Sequence, residues 1–147
     1  MRAVKKAQNS AYQIHYHFVT PVKYRKAIFG KVDREHTLVE ISKEIEERYE
    51  IELEQIGIDT NHVHYLISAA PKYSPSELIQ IIKSITAREL FRKHPDLREQ
   101  LWGGELWSEG YFVATVGEGG NNEVIRAYVA NQGKSKEQTK QLKLFNF

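Results

Sequence analysis

Residues 51–69, IELEQIGIDTNHVHYLISA, decide the fold, because they predict two neighbouring strands joined by a turn. Apolar and polar residues alternate on both sides of Asp59-Thr60-Asn61, whose short polar side chains are typical of turns. The phase of the alternation changes within 51–58, which predicts a bulge or bend in the first strand. The second strand, 62–69, alternates again, with Val63, Tyr65 and Ile67 on one face and His62, His64 and Leu66 on the other.

A helix is predicted on each side of this strand pair. Residues 33–49 carry apolar side chains at helical spacing with charged residues between them, and Asp33 is a candidate N-cap. On the other side, Ser74-Pro75-Ser76-Glu77 has the pattern of a capping box with proline at the first helical position. This second helix should continue to about Lys93, because His94-Pro95 follows.

Two outer strands and a last helix complete the predicted fold. Residues 11–20 alternate and predict a half-buried strand, whereas 111–116 are mostly apolar and predict a strand buried on both faces. A final helix should run from Asn121 or Asn122 to Gln132. The element order is that of an α+β, ferredoxin-like β-α-β-β-α-β sandwich with an additional C-terminal helix, in which the first and third strands are neighbours.

The composition excludes several classes of protein. The 147 residues contain no repeat, no linker and no apolar run long enough to span a membrane, so we expect one domain and no membrane contact. The absence of cysteine excludes disulfides and thiolate chemistry, and it is consistent with a cytoplasmic location. The net charge is only +2, but basic residues cluster at 23–26, at 88–93 and in the tail 133–147. Each cluster is either part of a nucleic-acid surface or ordinary solvated surface.

A histidine pair is the first candidate for chemistry. His62 and His64 are two residues apart on a predicted strand, so both imidazoles leave the same face, and Val63 enters the core between them. We expect that face to be open to a substrate, because the two main helices cover the other one. Two neutral imidazoles at this spacing can share a metal ion, but such a pair also occurs on polar strand faces without one.

His15 and His17 repeat this spacing on the neighbouring strand. Three roles are open to them: they join the metal site, they orient its ligands, or they line a polar face without a chemical role.

The predicted last helix carries a second candidate group. Tyr128 and Gln132 are four residues apart and therefore share one helical face. If this face meets the histidine pair, the hydroxyl of Tyr128 could act as a nucleophile and the amide oxygen of Gln132 as a third metal ligand. The alternative is a tyrosine that packs into the core beside a surface glutamine.

These motifs together resemble the small single-tyrosine HUH transposases of bacterial and archaeal insertion sequences (transposase A type). The resemblance covers about residues 11–132, and its motifs keep their order and approximate spacing. They are Tyr16-His17-Phe18-Val19-Thr20 through Lys23-Tyr24-Arg25, Asn61-His62-Val63-His64-Tyr65-Leu66-Ile67, Lys83, Trp107-Ser108-Glu109-Gly110-Tyr111-Phe112 and Tyr128-Val129-Ala130-Asn131-Gln132. Asn61 stands where an acidic residue is more frequent in the family.

The resemblance implies a single HUH transposase domain over 1–147, with a basic tail at 133–147. It implies that Tyr128 is the nucleophile and that His62, His64 and Gln132 bind Mg2+ or Mn2+. It further implies a homodimer with composite active sites and a substrate of single-stranded element ends that carry hairpins. Such an enzyme cleaves and rejoins DNA through a 5′-phosphotyrosine without ATP.

Residues for DNA contact and alternative functions complete the sequence-based interpretation. The candidate DNA-contacting residues are Lys23, Arg25, Lys83, Arg88 and Arg92. A domesticated repeat-associated enzyme or a replication-type nicking enzyme would use the same chemistry in another role. A non-catalytic ferredoxin-like nucleic-acid-binding domain would need neither Tyr128 nor the histidine pair.

Overall fold

A computed structural model of the chain describes residues 4–7 and 10–116. The predicted last helix, with Tyr128 and Gln132, lies outside these residues. The described elements are β1 (Lys5–Ala7), β2 (Ser10–Tyr12), β3 (His15–Pro21), α1 (Val32–Arg48), β4 (Ile51–Ile58), β5 (His62–Ala69), α2 (Pro75–Lys93), α3 (Leu97–Gln100) and β6 (Phe112–Thr115). A short turn follows β3 at Lys23–Arg25.

The main sheet has the strand order β4-β5-β3-β6, and every neighbouring pair is antiparallel. This is the ferredoxin-like order predicted from the sequence, with β3 and β5 as the central strands. The predicted bulge is also present: Leu53 pairs with Ile67 and Gln55 pairs with Leu66, so Glu54 is the additional residue in β4.

The two long helices pack on one face of the sheet. Their apolar stripes, which include Leu38 and Ile41 of α1 and Leu78 and Ile82 of α2, are buried in the core with Val63, Tyr65 and Ile67 of β5. The opposite face of β5 therefore carries His62, His64 and Leu66, as strand alternation predicts.

The helix starts differ in how well the sequence predicted them. The capping box of α2 is confirmed: Ser74 Oγ accepts from the backbone N–H of Glu77 at 3.1 Å, and the Glu77 carboxylate accepts from that of Ser74 at 2.9 Å. The predicted N-cap Asp33 is wrong, because α1 begins at Val32 and Asp33 lies inside its first turn. A carboxylate in the first turn still interacts favourably with the helix dipole.

Two strand predictions need correction. The predicted strand 11–20 is interrupted, because β2 pairs with β1 in a separate two-stranded sheet and β3 begins only at His15. The strand near 111–116 is not buried on both faces: β6 is an edge strand that pairs with β3, and its residues are half-buried or exposed. A short apolar run does not distinguish a central strand from an edge strand.

Candidate active site

Four histidines lie on the face of the sheet that α1 and α2 leave uncovered. His15 and His17 come from β3, and His62 and His64 come from β5. The strand register, which pairs Val19 with His64, places all four side chains on one side of the sheet. Contrary to the expectation of an open face, their exposed fractions are only 5%, 2%, 8% and 1%, in that order. The ring of His64 packs against those of His17 and His62, and Phe112 packs against His17, which strand alternation alone does not reveal.

His17 and His64 form the centre of this cluster. Their rings are stacked with centroids 5.1 Å apart, and His17 Nε2 lies 2.8 Å from His64 Nδ1. The ring of Phe112 meets His17 edge-on at 6.1 Å. If His64 Nδ1 carries the proton and donates it to His17, then His64 Nε2 is left with a lone pair for another partner. That atom is buried and has no hydrogen-bond partner in the described part of the chain.

His62 is oriented in a similar way by the residue before it. Its Nδ1 lies 2.7 Å from Asn61 Oδ1, and an amide oxygen can only accept, so His62 Nδ1 donates. Its Nε2 lies 3.9 Å from a carboxylate oxygen of Asp59. The ring centroids of His62 and His64 are 5.1 Å apart. In both histidines Nδ1 lies against a neighbouring side chain, which makes Nε2 the candidate ligand atom.

Burial keeps the central histidines neutral. Desolvation lowers the pKa of His17 to about 4. Desolvation also lowers the pKa of His64 well below its ordinary value, with smaller contributions from His17 and His62. Neutral imidazole is the form that binds metals, so these histidines need no deprotonation at neutral pH.

His15 has a different partner from the other three. Its Nδ1 lies 2.8 Å from Oε1 of Glu54, and Glu54 is the additional residue of the β4 bulge. The imidazole of His15 is almost fully buried. The sequence predicted the bulge but not this pair, since nothing in the local pattern shows that a bulged side chain reaches across β5.

The donor set fits a metal ion only if another element contributes to it. Within residues 4–7 and 10–116, no group of three or more His, Cys, Asp and Glu residues is arranged to hold a metal. The buried, unpartnered Nε2 of His64 nevertheless fits a ligand atom, because an orphaned buried acceptor is otherwise costly. The predicted third ligand, Gln132, lies outside the described residues.

The tyrosines on the central strands are unsuited to be the nucleophile. Tyr16 and Tyr65 point to the helix-covered face, opposite to the histidines. Complete burial also raises the pKa of Tyr65 further above its ordinary value. Tyr128, the predicted nucleophile, lies outside the described residues.

Two of the predicted DNA-contacting residues, Lys23 and Lys83, both contact the segment 105–109 that precedes β6. Lys23 pairs with Glu105 at 2.9 Å, and Lys83 donates to the backbone carbonyls of Ser108 at 2.7 Å and Glu109 at 3.2 Å. Lys83 therefore secures the segment before β6. Arg25 lies in the same turn as Lys23 and is exposed.

Arg88 and Arg92 lie elsewhere. Both are on α2, on the helix-covered side of the sheet, and both contact Glu89, with nitrogen–oxygen distances of 3.4 Å for Arg88 and 2.7 Å for Arg92. The structure therefore does not bring them to the histidine face. Arg88 and Glu89 also line a shallow groove with Glu44 and Arg48 of α1.

Comparison with known proteins decides the family. The model of the family "Transposase IS200 like" matches residues 10–132. This chain belongs to that family. As a single-tyrosine HUH transposase it is an enzyme that cleaves DNA and transfers strands, which confirms the function predicted from the sequence. Enzymes of this family generally depend on a divalent metal ion.

Its similarity to curated transposases extends over most of both chains. The transposase is 33% identical to the ISDra2 transposase TnpA of Deinococcus radiodurans over 130 residues, which is 88% of this chain and 91% of the relative. It is 26% identical to the transposase for insertion sequence element IS200 of Salmonella typhimurium over 141 residues, 95% of this chain and 90% of that one.

Solved structures agree with the fold. A crystal structure assigned to a transposase from Deinococcus radiodurans R1 superposes with a TM-score of 0.64 at 28% identity, covering 88% of this chain and 98% of that one. The structure of a REP-associated tyrosine transposase bound to a REP hairpin gives 0.51 at 8% identity, covering 85% and 68%, and supports the fold alone. No helix within the described residues is long and apolar enough to cross a membrane.

Proposed function

We propose that this transposase cleaves and rejoins the single-stranded DNA ends of an insertion element, with Tyr128 as nucleophile and His62, His64 and Gln132 as ligands of Mg2+ or Mn2+. The observation that carries the metal site is the buried Nε2 of His64, which has no hydrogen-bond partner in the described residues. Its neighbour His62 lies on the same strand face with Nδ1 already engaged. Two imidazoles oriented in this way can bind a metal ion together with an oxygen ligand.

In the proposed reaction, the phenolate oxygen of Tyr128 attacks the scissile phosphorus in line. A phosphorus–oxygen bond forms to tyrosine, the bond to the 3′ oxygen breaks, and this oxygen takes a proton and leaves as a 3′-OH. A bound divalent ion would polarise the phosphate and stabilise the phenolate of tyrosine, a side chain whose ordinary pKa is about 10. The 5′-phosphotyrosine conserves the phosphodiester energy, so a 3′-OH of another strand can reverse the step without ATP.

The proposed substrate carries hairpins, and the proposed enzyme is a cytoplasmic homodimer. A protein of the same fold has been solved with a REP hairpin bound, which supports the hairpin substrate. The closer similarity to insertion-sequence transposases favours a mobile element over a repeat-associated role. The dimer with composite sites, in which the tyrosine helix of one subunit serves the histidines of the other, follows from the family resemblance.

Replacement of Tyr128 tests the nucleophile. With Mg2+ or Mn2+ and a hairpin oligonucleotide from the element's own end, wild-type protein should give a covalent adduct that migrates more slowly in a denaturing gel. Tyr128→Phe should abolish the adduct while binding remains. Tyr65→Phe is the matched control, since Tyr65 lies on the opposite face of the sheet, and it should still form the adduct. An adduct formed by Tyr128→Phe would refute the assignment.

The metal ligands need a measurement that does not depend on cleavage. Calorimetric titration of the protein with Mn2+ should show one site per subunit, and His62→Ala, His64→Ala and Gln132→Ala should each weaken it. Retention of wild-type Mn2+ affinity by His64→Ala would overturn the proposed ligand set.

A further inference from the structure

Two aromatic side chains are exposed side by side at the end of the sheet where β3 finishes. Tyr24 is 58% exposed and Trp102 is 74% exposed, and their rings are stacked with centroids 6.2 Å apart and planes at 27°. Trp102 is the most exposed aromatic side chain in the described part of the chain. We call this pair the aromatic platform. An exposed aromatic pair costs hydrophobic free energy unless a partner covers it.

The backbone around the platform is held in an unusual conformation. Tyr24 and Arg25 have φ angles of 58° and 53°, in the left-handed region that residues other than glycine rarely adopt. The neighbouring residues are not loose: Val22 is fully buried, and the backbone N–H of Lys23 donates to the carbonyl of Leu106 at 2.8 Å. Strain of this kind, maintained by well-packed surroundings, is typical of functional sites.

The loop that carries Trp102 is anchored in the same way. Leu101 and Leu106 are buried on either side of it, and Gly103 and Gly104 turn the chain with φ angles of 104° and 79°. Trp102 is thus presented outward between two residues of the core. Its exposure is a property of an ordered loop and not of a segment without contacts.

Basic residues flank Tyr24 along the chain. The ammonium of Lys23 lies 5.5 Å from the centre of the Tyr24 ring, and Lys23 is already paired with Glu105. Arg25 and Lys26 are exposed, and neither forms an ion pair with a carboxylate in residues 4–7 and 10–116. A polyanion is the partner that fits two uncompensated cations beside stacked rings.

The platform is connected directly to the histidine face. Pro21, at the end of β3, pairs with His62, and the backbone N–H of Val22 donates to the carbonyl of Asn61 at 2.9 Å. Tyr24 follows two residues later. A DNA strand that reaches His62 would therefore pass close to Tyr24 and the cations beside it.

We propose that Tyr24 and Trp102 stack an unpaired base of the single-stranded DNA that the enzyme binds, while Arg25 and Lys26 contact the adjoining phosphates. The proposal rests on the proposed function for its ligand and adds a binding site to it. Every nucleobase has a face that can stack on an aromatic ring, so such a site tolerates different sequences. It discriminates against a fully paired duplex, whose bases are covered by their neighbours.

The test measures binding without cleavage. In the Tyr128→Phe background with EDTA, a fluorescently labelled oligo(dT) of about 15 nucleotides reports binding by anisotropy. Trp102→Ala and Tyr24→Ala should each weaken binding about tenfold, within the range reported for loss of a stacked base. Trp102→Phe should restore most of it. Val39→Ala, which shortens a partly exposed apolar side chain on α1, is the control and should bind like its parent.

A second readout locates the contact. Photocrosslinking with an oligonucleotide that contains 5-iododeoxyuridine should label the peptides that carry Tyr24 or Trp102, as read by mass spectrometry. Unchanged affinity of Trp102→Ala together with crosslinks elsewhere would overturn the platform. A change in oligomeric state on light scattering without a change in DNA affinity would instead assign the pair to a contact between two copies, and would equally overturn it.

These outcomes are separable from failure of the proposed function. Adduct formation by wild type with unaffected binding by Trp102→Ala refutes the platform and leaves the nucleophile in place. Absence of any adduct with weakened binding by Trp102→Ala refutes Tyr128 chemistry and leaves the platform in place.

Discussion

His17 Nε2 lies 2.8 Å from His64 Nδ1, between two stacked imidazole rings that are both almost fully buried. The contact runs diagonally between β3 and β5, whose register pairs His17 with Leu66 and His64 with Val19. It fixes the orientation of His64 and determines which nitrogen is left for a ligand. His17 is therefore a positioning residue for the proposed metal site, acting through His64.

Replacement of His17 should weaken metal binding without removing a ligand. His17→Ala deletes the partner of His64 Nδ1, and loss of such an outer contact typically lowers metal affinity by about 10- to 100-fold. Calorimetric titration with Mn2+ measures the effect. His17→Gln retains an acceptor oxygen near the position of Nε2 and should recover part of the affinity. The assignment fails if His17→Ala binds Mn2+ as tightly as wild type at a temperature where both are folded.

Asn61 provides a matching prediction for His62. Its side-chain oxygen accepts from His62 Nδ1 at 2.7 Å, so Asn61→Ala should lower Mn2+ affinity about tenfold. Asn61→Asp supplies a charged acceptor in the same place and should bind Mn2+ at least as tightly as wild type, because a carboxylate increases the basicity of the imidazole. A lower affinity in Asn61→Asp than in Asn61→Ala would contradict this account.

The neutral buried histidines predict a loss of stability in acid for the metal-free protein. Burial lowers the pKa of folded His17 to about 4, whereas an unfolded histidine titrates near 6.5. Between pH 6.5 and 4, His17 is protonated in the unfolded chain but stays neutral in the folded chain. The free energy of unfolding should therefore fall as the pH decreases from about 6.5 to 4, by up to about 3 kcal/mol for this residue. Above 6.5 the His17 contribution should be constant.

Urea denaturation in EDTA at pH 7.5, 5.5 and 4.5 measures this dependence. In His17→Gln the decrease between pH 7.5 and 4.5 should be smaller than in wild type, because one group that titrates differently in the two states is absent. If the free energy of unfolding of wild type falls no more than that of His17→Gln between pH 7.5 and 4.5, then His17 accepts its proton in the folded state. That result would contradict the prediction.

The sequence predicted the arrangement of the site better than its environment. Alternation in 62–69 placed His62 and His64 on one face, because the side-chain period of a strand is fixed, and the register of β3 and β5 confirms this. Burial of the same histidines was not predictable, since it depends on tertiary packing, which includes the stacking of His17 on His64. The β1–β2 hairpin was missed for a similar reason: alternation does not show which strand is the partner of 10–12.

The last prediction concerns the segment that carries Trp107. Its indole N–H donates to Thr86 Oγ1 at 2.9 Å, its ring stacks on Phe29, and its backbone forms a bridge with Val22, just before the turn of the aromatic platform. Thr86 itself is fully buried. Thr86→Val keeps the shape of the side chain but removes the acceptor and leaves the indole N–H unsatisfied. An unsatisfied buried donor costs about 1–3 kcal/mol, so the midpoint of urea denaturation should fall accordingly.

Thr86→Ser separates the hydrogen bond from packing. It retains the hydroxyl and loses one methyl group, so it should restore the bond to Trp107 at the cost of a small cavity of about 1 kcal/mol. The expected order of stability is wild type, then Thr86→Ser, then Thr86→Val. The reverse order of the two variants would mean that the methyl contact, and not the hydrogen bond, holds Trp107 in place. Because Trp107 bridges to Val22, oligo(dT) affinity should decrease in the same order if this contact also positions Tyr24.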